Sequence, residues 1–257
     1  MSDEVRSCVV SRTVLVTGAA GGICEGINRR VAQAGHLVFC ADLDLVAANA
    51  AADAVRAAGG RAEGIVLDVT SDASVSAAAA SLEGRGIAVD AVVNAAGVMD
   101  RRGLADLEPG DFERVLAVNL TGPFRVIRRF APGMIERGWG RVVNVSSLAA
   151  RNGYPFPGYA SSKAGLSHLT RSLLNDFWGT GVTVNNVCPG PVEAPMLSEA
   201  VREEAVRHVP TGRVIEPDEI GAAVAFLLSE DARSINGSDL VVDGGASAYF
   251  QLSDRRR

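Results

Sequence analysis

Thr13-Val14-Leu15-Val16-Thr17 runs directly into Gly18-Ala19-Ala20-Gly21-Gly22-Ile23-Cys24, and an apolar helical pattern continues to Ala34. Five residues of strand type are followed by glycines and then by a helix. Such a junction lets a backbone approach closely, and it gathers the free N–H groups and positive end of a helix at one point, which suits a pyrophosphate. The spacing is G-x-x-x-G-x-C rather than G-x-G-x-x-G. Taken alone it also reads as a tight β–α turn.

Working outward, six further short apolar runs read as strands: Leu37–Ala41, Ala62–Leu67, Ala88–Val93, Arg141–Val145, Val182–Val187 and Leu240–Val242. They are continuous rather than alternating, as expected for strands buried on both faces. Between them lie alanine-rich or amphipathic stretches such as Leu43–Ala58 and Ser71–Leu82, which read as helices. Strands alternating with helices imply crossover units and a parallel sheet. No linker or composition break divides the chain, so one domain is expected over residues 1–257.

The remaining composition excludes several classes. The chain has 257 residues, 47% hydrophobic and 21% charged, with a formal net charge of −5. A length of this order allows about 70% of the unfolded surface to be buried, so a core needs no staples. The acidic balance argues against a nucleic-acid or anionic-membrane partner. Cys8, Cys24, Cys40 and Cys188 form no C-x-x-C pair, which leaves no zinc-ligand spacing and fits a reducing, cytoplasmic compartment. Met1–Arg12 lacks a signal-peptide h-region, and no apolar stretch is long enough for a membrane span.

Two positions carry chemistry. Asp42 lies just beyond the second strand, where a carboxylate can accept hydrogen bonds from adenosine ribose hydroxyls; as an alternative, Asp42 or Asp44 caps the next helix. The 25 basic residues comprise 24 arginines and one lysine, Lys163, which follows Tyr159 by four residues. On a helix those two share a face. An ammonium beside a phenol favours the phenolate, so the Tyr159 pKa is expected to fall.

From about Arg12 to Tyr249 the chain resembles the short-chain dehydrogenase/reductase family. The resemblance is carried by Thr17–Ile23 in the turn, Leu67-Asp68-Val69, Asn94-Ala95-Ala96-Gly97 and Val118-Asn119-Leu120. Downstream it continues in Asn144-Val145-Ser146-Ser147, Tyr159-x-x-x-Lys163, Pro189-Gly190 and Val242-Asp243-Gly244-Gly245. It implies a Rossmann-type α/β fold, doubly wound, with a mostly parallel seven-stranded sheet and helices on both faces. It implies NAD contacts from Gly18, Gly21, Gly22, Ile23 and Asp42, then from Asp68, Val69, Asn94, Ala95 and Gly97. Tyr159, Lys163, Pro189, Gly190 and Val192 would complete that set. Tyr159 would be the general acid or base, Lys163 would hold the nicotinamide ribose, Ser147 the substrate oxygen, and Asn119 a water path behind the lysine. A homotetramer is the family's usual assembly.

The serine assignment has a competitor: Ser147 precedes Tyr159 by 12 residues, whereas the family's commoner spacing of 13 falls on Ser146. Two residues depart from the family pattern, Cys24 where a third glycine is usual and Ala194 where a threonine often bonds the carboxamide. At a helix N-terminus Cys24 could be a reactive thiolate, or it could be a buried, inert thiol. Met99, Arg151, Tyr154, Phe156, Glu193 and Met196 flank the motifs and are candidates for the substrate pocket, and Met196–Ile215 reads as a lid. His36, His168 and His208 show no partner pattern.

The sequence thus points to an NAD-dependent oxidoreductase acting on a secondary alcohol or ketone of small-molecule size. A 3-oxoacyl thioester reductase is the alternative within enzymes. A catalytically silent NAD-binding sensor or scaffold is the alternative outside them.

Overall fold

The computed structural model describes residues 10–194 and 199–249. The strands are β1 (Thr13–Thr17), β2 (Leu37–Asp42), β3 (Arg61–Val66), β4 (Ala91–Asn94), β5 (Gly140–Val145), β6 (Val182–Pro189) and β7 (Asp239–Val242). They form one seven-stranded sheet in the order β3-β2-β1-β4-β5-β6-β7. Every pairing is parallel, so the expected "mostly parallel" sheet is wholly parallel among the described residues. β4 begins three residues later than the apolar run suggested. There the Asp90 carboxylate accepts the Thr13 N–H at 3.0 Å, just before the β4–β1 pairing begins.

Helices α1 (Gly22–Gln33), α2 (Leu45–Ala57), α3 (Asp72–Glu83) and α4 (Pro109–Leu116) follow the first four strands. A π turn, Ala117–Thr121, joins α4 to α5 (Gly122–Glu136). Then come α6 (Pro157–Ser172), α7 (Glu199–Arg207) and α8 (Pro217–Leu228). Alternate residues of β1 show why both sheet faces are apolar. Val14 and Val16 pack with Ile27 and Val31 of α1, Val55 of α2 and Val224 of α8. Leu15 packs on the other face with Val75 and Leu82 of α3 and Val126 and Phe130 of α5. Each such side chain stabilises the fold by about 1.5–3 kcal/mol relative to exposure.

Helix starts are set locally. Asp44, not Asp42, caps α2, accepting the Val46 N–H at 3.0 Å. Pro157 opens α6 and Pro217 opens α8, where a lost N–H costs nothing. α1 and α8 cross backbone to backbone: a Cβ on Gly26 would fall 2.1 Å from the Pro217 carbonyl oxygen, and one on Gly221 would fall 2.2 Å from that of Gly26. Arg29 and Arg30 of α1 bracket Asp218 at the same crossing.

Candidate active site

All the motif residues that could be placed lie at the C-terminal edge of the sheet, where open α/β sheets bind ligands. Gly18 has φ +64°, and a Cβ there would fall 2.6 Å from the Ala96 Cα, so the β1 and β4 turns meet only because residue 18 is glycine. Gly21 is the N-cap of α1 and has no capping side chain. The first-turn N–H groups of Gly22 and Ile23 therefore have no intrahelical acceptor. Asp42 ties the second strand to this turn, its carboxylate accepting the Ala20 N–H at 3.1 Å and the Leu43 N–H at 2.8 Å.

Cys24 corrects the thiolate expectation. Its side chain is 2% exposed and packs into the core with Cys40 and Val16. Burial first, then Cys40 and Asp42 nearby, push its pKa up to about 12. The helix N-terminus cannot act on a thiol directed into the core.

The β4 turn supplies further contacts. Thr17 Oγ1 accepts from the Ala95 and Ala96 N–H groups at 3.2 Å each. Asp68 closes its own turn, accepting the Thr70 N–H at 2.8 Å and hydroxyl at 2.7 Å, and Val69 packs against Gly122. Asn119 sits inside the π turn and is fully buried. Its amide exchanges two 2.8 Å bonds with the Val98 backbone and donates a third to Ser162 Oγ at 3.0 Å. One side chain thus pins the loop after Gly97 to α6. A Cβ on Gly97 would lie 3.4 Å from Asn119 Oδ1 and 3.5 Å from Lys163 Nζ, so the three positions converge.

Tyr159 and Lys163 occupy successive turns of α6, with the ammonium 5.8 Å from the phenol ring centroid. The two candidate serines have different partners. Ser146 commits its hydroxyl to the Lys163 carbonyl at 3.1 Å and to Ser167 at 3.0 Å. Ser147 receives the Ala149 N–H at 3.1 Å and is hydrogen-bonded to Tyr159. The expected lowering of the Tyr159 pKa is reversed among the chain's own groups. Burial raises it above the ordinary phenol value, outweighing the downward pull of Ser147, while Tyr154 and Cys188 add to the rise. Burial also pushes Lys163 down to about 8.

On the opposite side of the cleft, Gly190 donates its N–H to the Val242 carbonyl at 3.0 Å, and a Cβ on it would meet Asp243 at 2.8 Å. Val192 bridges Ile215, and Glu193 binds Arg202 of α7 at 2.6 Å. Ala194 lines the cavity beside Gly22 and Glu25. Met196 and the start of the expected lid lie outside the described residues, as does Cys8. His36 is buried and its Nδ1 accepts the Arg12 N–H at 3.3 Å, while burial lowers its pKa. His208 is exposed.

Two features were not anticipated. One is the π turn: Pro123 has no N–H for the Asn119 carbonyl four residues earlier, and the Gly122 N–H reaches Ala117 instead. The other is a polar ladder across four strands. Asn94, Asn144, Asn186 and Asp239 are register partners. They join through Asn94–Asn144 at 2.8 Å, Asn144–Thr170 at 3.0 Å, Thr170–Asn186 at 2.7 Å and Asn186–Asp239 at 2.7 Å. Asparagines inside otherwise apolar runs were the available signal.

A nicotinamide dinucleotide fits these groups. The glycine turn leaves backbone N–H groups uncovered. Lys163, 5% exposed, directs one N–H at the Val145 carbonyl, 2.8 Å away, which leaves two donors for a polyhydroxyl ligand. Among the described residues, no three His, Cys, Asp or Glu side chains are grouped to hold a metal, and no helix is long and apolar enough to cross a membrane.

Comparisons with known proteins agree with this fold. A family model described as enoyl-(acyl carrier protein) reductase matches residues 18–247. The acetoacetyl-CoA reductase of Allochromatium vinosum is 34% identical over 242 residues, covering 92% of this chain and 98% of that protein. An uncharacterized short-chain type dehydrogenase/reductase of Sinorhizobium fredii is 38% identical, over 91% of this chain and 43% of that one. A gluconate 5-dehydrogenase from Burkholderia cenocepacia, solved in complex with NADP and tartrate, superposes with a TM-score of 0.87 at 33% identity, covering 93% of this chain and 96% of its own.

Proposed function

The chain belongs to the short-chain dehydrogenase/reductase family, and on that premise we propose that it is an NAD-dependent oxidoreductase interconverting a secondary alcohol and its ketone. The observation that carries this reading is Tyr159 paired with Ser147 while the buried Lys163 ammonium lies 5.8 Å from its ring centroid. A bound nicotinamide supplies the hydride donor or acceptor. The chain's own residues handle position and protons. Ser147 holds the substrate oxygen, and Tyr159 gives that oxygen a proton in ketone reduction or takes it in alcohol oxidation. Lys163 binds ribose hydroxyls, and its charge stabilises the phenolate that burial alone disfavours. Asn119 fixes the geometry of the loop and helix around the lysine.

The cofactor contacts of this proposal are Gly18, Gly21, Gly22 and Ile23 for pyrophosphate and Asp42 for the adenosine ribose. Asp68, Val69, Asn94, Ala95 and Gly97 line the dinucleotide, and Pro189, Gly190 and Val192 cover the nicotinamide end. Asp42 favours NAD, because the extra phosphate of NADP would meet its carboxylate while Gly21 and Leu43 offer no compensating cation. One catalytic domain over 1–257, from the unbroken composition, a cytoplasmic setting, from the cysteine usage, and a homotetramer, from family resemblance, complete the reading.

A second reading, reduction of a 3-oxoacyl thioester, is favoured by the acetoacetyl-CoA reductase among the relatives. A panel of polyols, cyclic alcohols and hydroxyacyl thioesters, followed by nicotinamide absorbance with NAD and with NADP, separates the two. The proposal expects turnover of free alcohols with NAD preferred. Turnover confined to thioesters supports the second reading, and binding of NAD with no turnover of anything supports a silent sensor.

A further inference from the structure

Tyr154 and Phe156 stand on the segment between Ser147 and α6. Their rings meet edge to face, with centroids 5.4 Å apart at 85°. The Tyr154 ring also lies 6.1 Å from the Tyr159 ring, tilted by 50°. Both side chains are half-buried, so each keeps part of its ring surface open. Phe156, Tyr154 and Tyr159 thus form three rings in sequence, a wall beside the proposed acid–base residue.

Arg101 apart, the arginines on the neighbouring segments have ion-pair partners. Arg151 pairs with Asp239 at 3.8 Å, and Glu193 with Arg202 at 2.6 Å. On the loop after Gly97, Arg102 binds Asp100 at 2.5 Å and Asp111 at 2.8 Å. Arg114 leans on Asp100 at 3.4 Å. Arg101 is exposed and has no ion pair among the described residues. With the Lys163 ammonium engaged by the Val145 carbonyl and, on the reading above, by the cofactor ribose, a carboxylate entering between Tyr154 and Ser147 would lose its water without gaining a free buried cation, which is strongly unfavourable. A neutral ring would gain edge and face contacts.

We infer that the substrate is an uncharged ketone or secondary alcohol carrying an aromatic or cyclic group next to the reacting carbon, and that Tyr154 and Phe156 select for that group. This rests on the oxidoreductase reading above and narrows its substrate class away from hydroxy acids and open-chain polyols.

The test compares acetophenone, ethyl methyl ketone and acetoacetate as substrates, with NADH and with NADPH, alongside acetophenone binding by calorimetry. Acetophenone is expected to lead in kcat/KM by roughly tenfold. Tyr154→Ala and Phe156→Ala should each cut that lead several-fold through KM, while Tyr154→Phe, which keeps the ring, retains it. Equal or higher kcat/KM for acetoacetate or ethyl methyl ketone overturns the inference and leaves the oxidoreductase reading standing. If an acetoacetate preference disappears in Arg101→Ala, the exposed guanidinium is the selecting group and the inference is equally overturned. Acetophenone binding that is lost in Tyr154→Ala, with no turnover of any ketone, supports the aromatic site and counts against the oxidoreductase reading. Neither binding nor turnover overturns both.

Discussion

The Lys163 ammonium donates to the Val145 carbonyl across 2.8 Å, tying the centre of α6 to the end of β5 beneath the Ser147 hydroxyl. The bond sets where the charge sits, and burial sets what holding it costs.

That cost is measurable. With its pKa near 8 in the fold against roughly 10.4 unfolded, Lys163 binds fewer protons in the native state between those values. Stability contributed by this site therefore rises with pH across that window, and the penalty is fully present at pH 7. Lys163→Met is expected to gain about 1–2 kcal/mol at pH 7, after allowance for the unsatisfied Val145 carbonyl, while abolishing activity. The gain should shrink toward pH 10. Urea unfolding at both pH values checks it, and a destabilised Met variant at pH 7 contradicts it.

Lys163→Arg keeps the charge but replaces a compact ammonium with a planar fork. The fit to Val145 and to the space beside Gly97 and Asn119 leaves little room for that fork. Activity is expected to drop by about a hundredfold or more, with Tyr159→Phe losing activity while still binding cofactor. Near-parental kcat in Lys163→Arg would remove the lysine from the proposed proton relay.

Asp42 is the proposed selector of the cofactor. Asp42→Ala should improve kcat/KM with NADP relative to NAD by at least about tenfold, corresponding to about 1.4 kcal/mol of relieved repulsion. Adding Leu43→Arg should increase the swing. An unchanged ratio in Asp42→Ala would show that the carboxylate faces away from the ribose.

Cys24 should resist a small alkylating reagent in the folded protein, with or without NAD, and label only in denaturant. Cys24→Gly removes core contacts and places glycine in a helix, so it should destabilise by about 1–3 kcal/mol. Peptide mapping by mass spectrometry reads the labelling. Rapid modification under native conditions would contradict the burial.

Glu193 and Arg202 join the Pro189-Gly190 strap to α7. The pair is partly exposed, so its worth is about 0.5–1 kcal/mol. Glu193→Gln, Arg202→Ala and the double variant should raise KM for cofactor by similar factors of about two to five. Additive effects would mean that the two side chains act separately.

The central strands were legible because burial on both faces leaves a continuous apolar signature, as in Val14–Val16 and Val142–Val143, whereas the edge strands β3 and β7 are only partly buried. Strand ends were less legible, because Asp90 and Asp239 end or begin pairing through side-chain bonds that no hydropathy pattern records. The meeting of Tyr159, Lys163 and Ser147 was legible from spacing and motif order. Motif order favoured Ser147 over Ser146 although residue spacing alone favoured Ser146, and the structure pairs Ser147 with Tyr159 while Ser146 is bonded to the Lys163 carbonyl and Ser167. The direction of the Tyr159 shift was misread because neighbouring charge was weighed without the desolvation that accompanies it.

The glycine contact between α1 and α8 has a consequence for recombination. α1 begins at the glycine turn and α8 begins two residues after Ile215, which bridges Val192. Because Gly26 and Gly221 touch through backbone, the two helices form one mechanical part with a shared mould line. A chimera that imports α1 from another protein must import its α8 as well, or the two halves of the cofactor cleft will be set at the wrong distance before any contacting residue has changed.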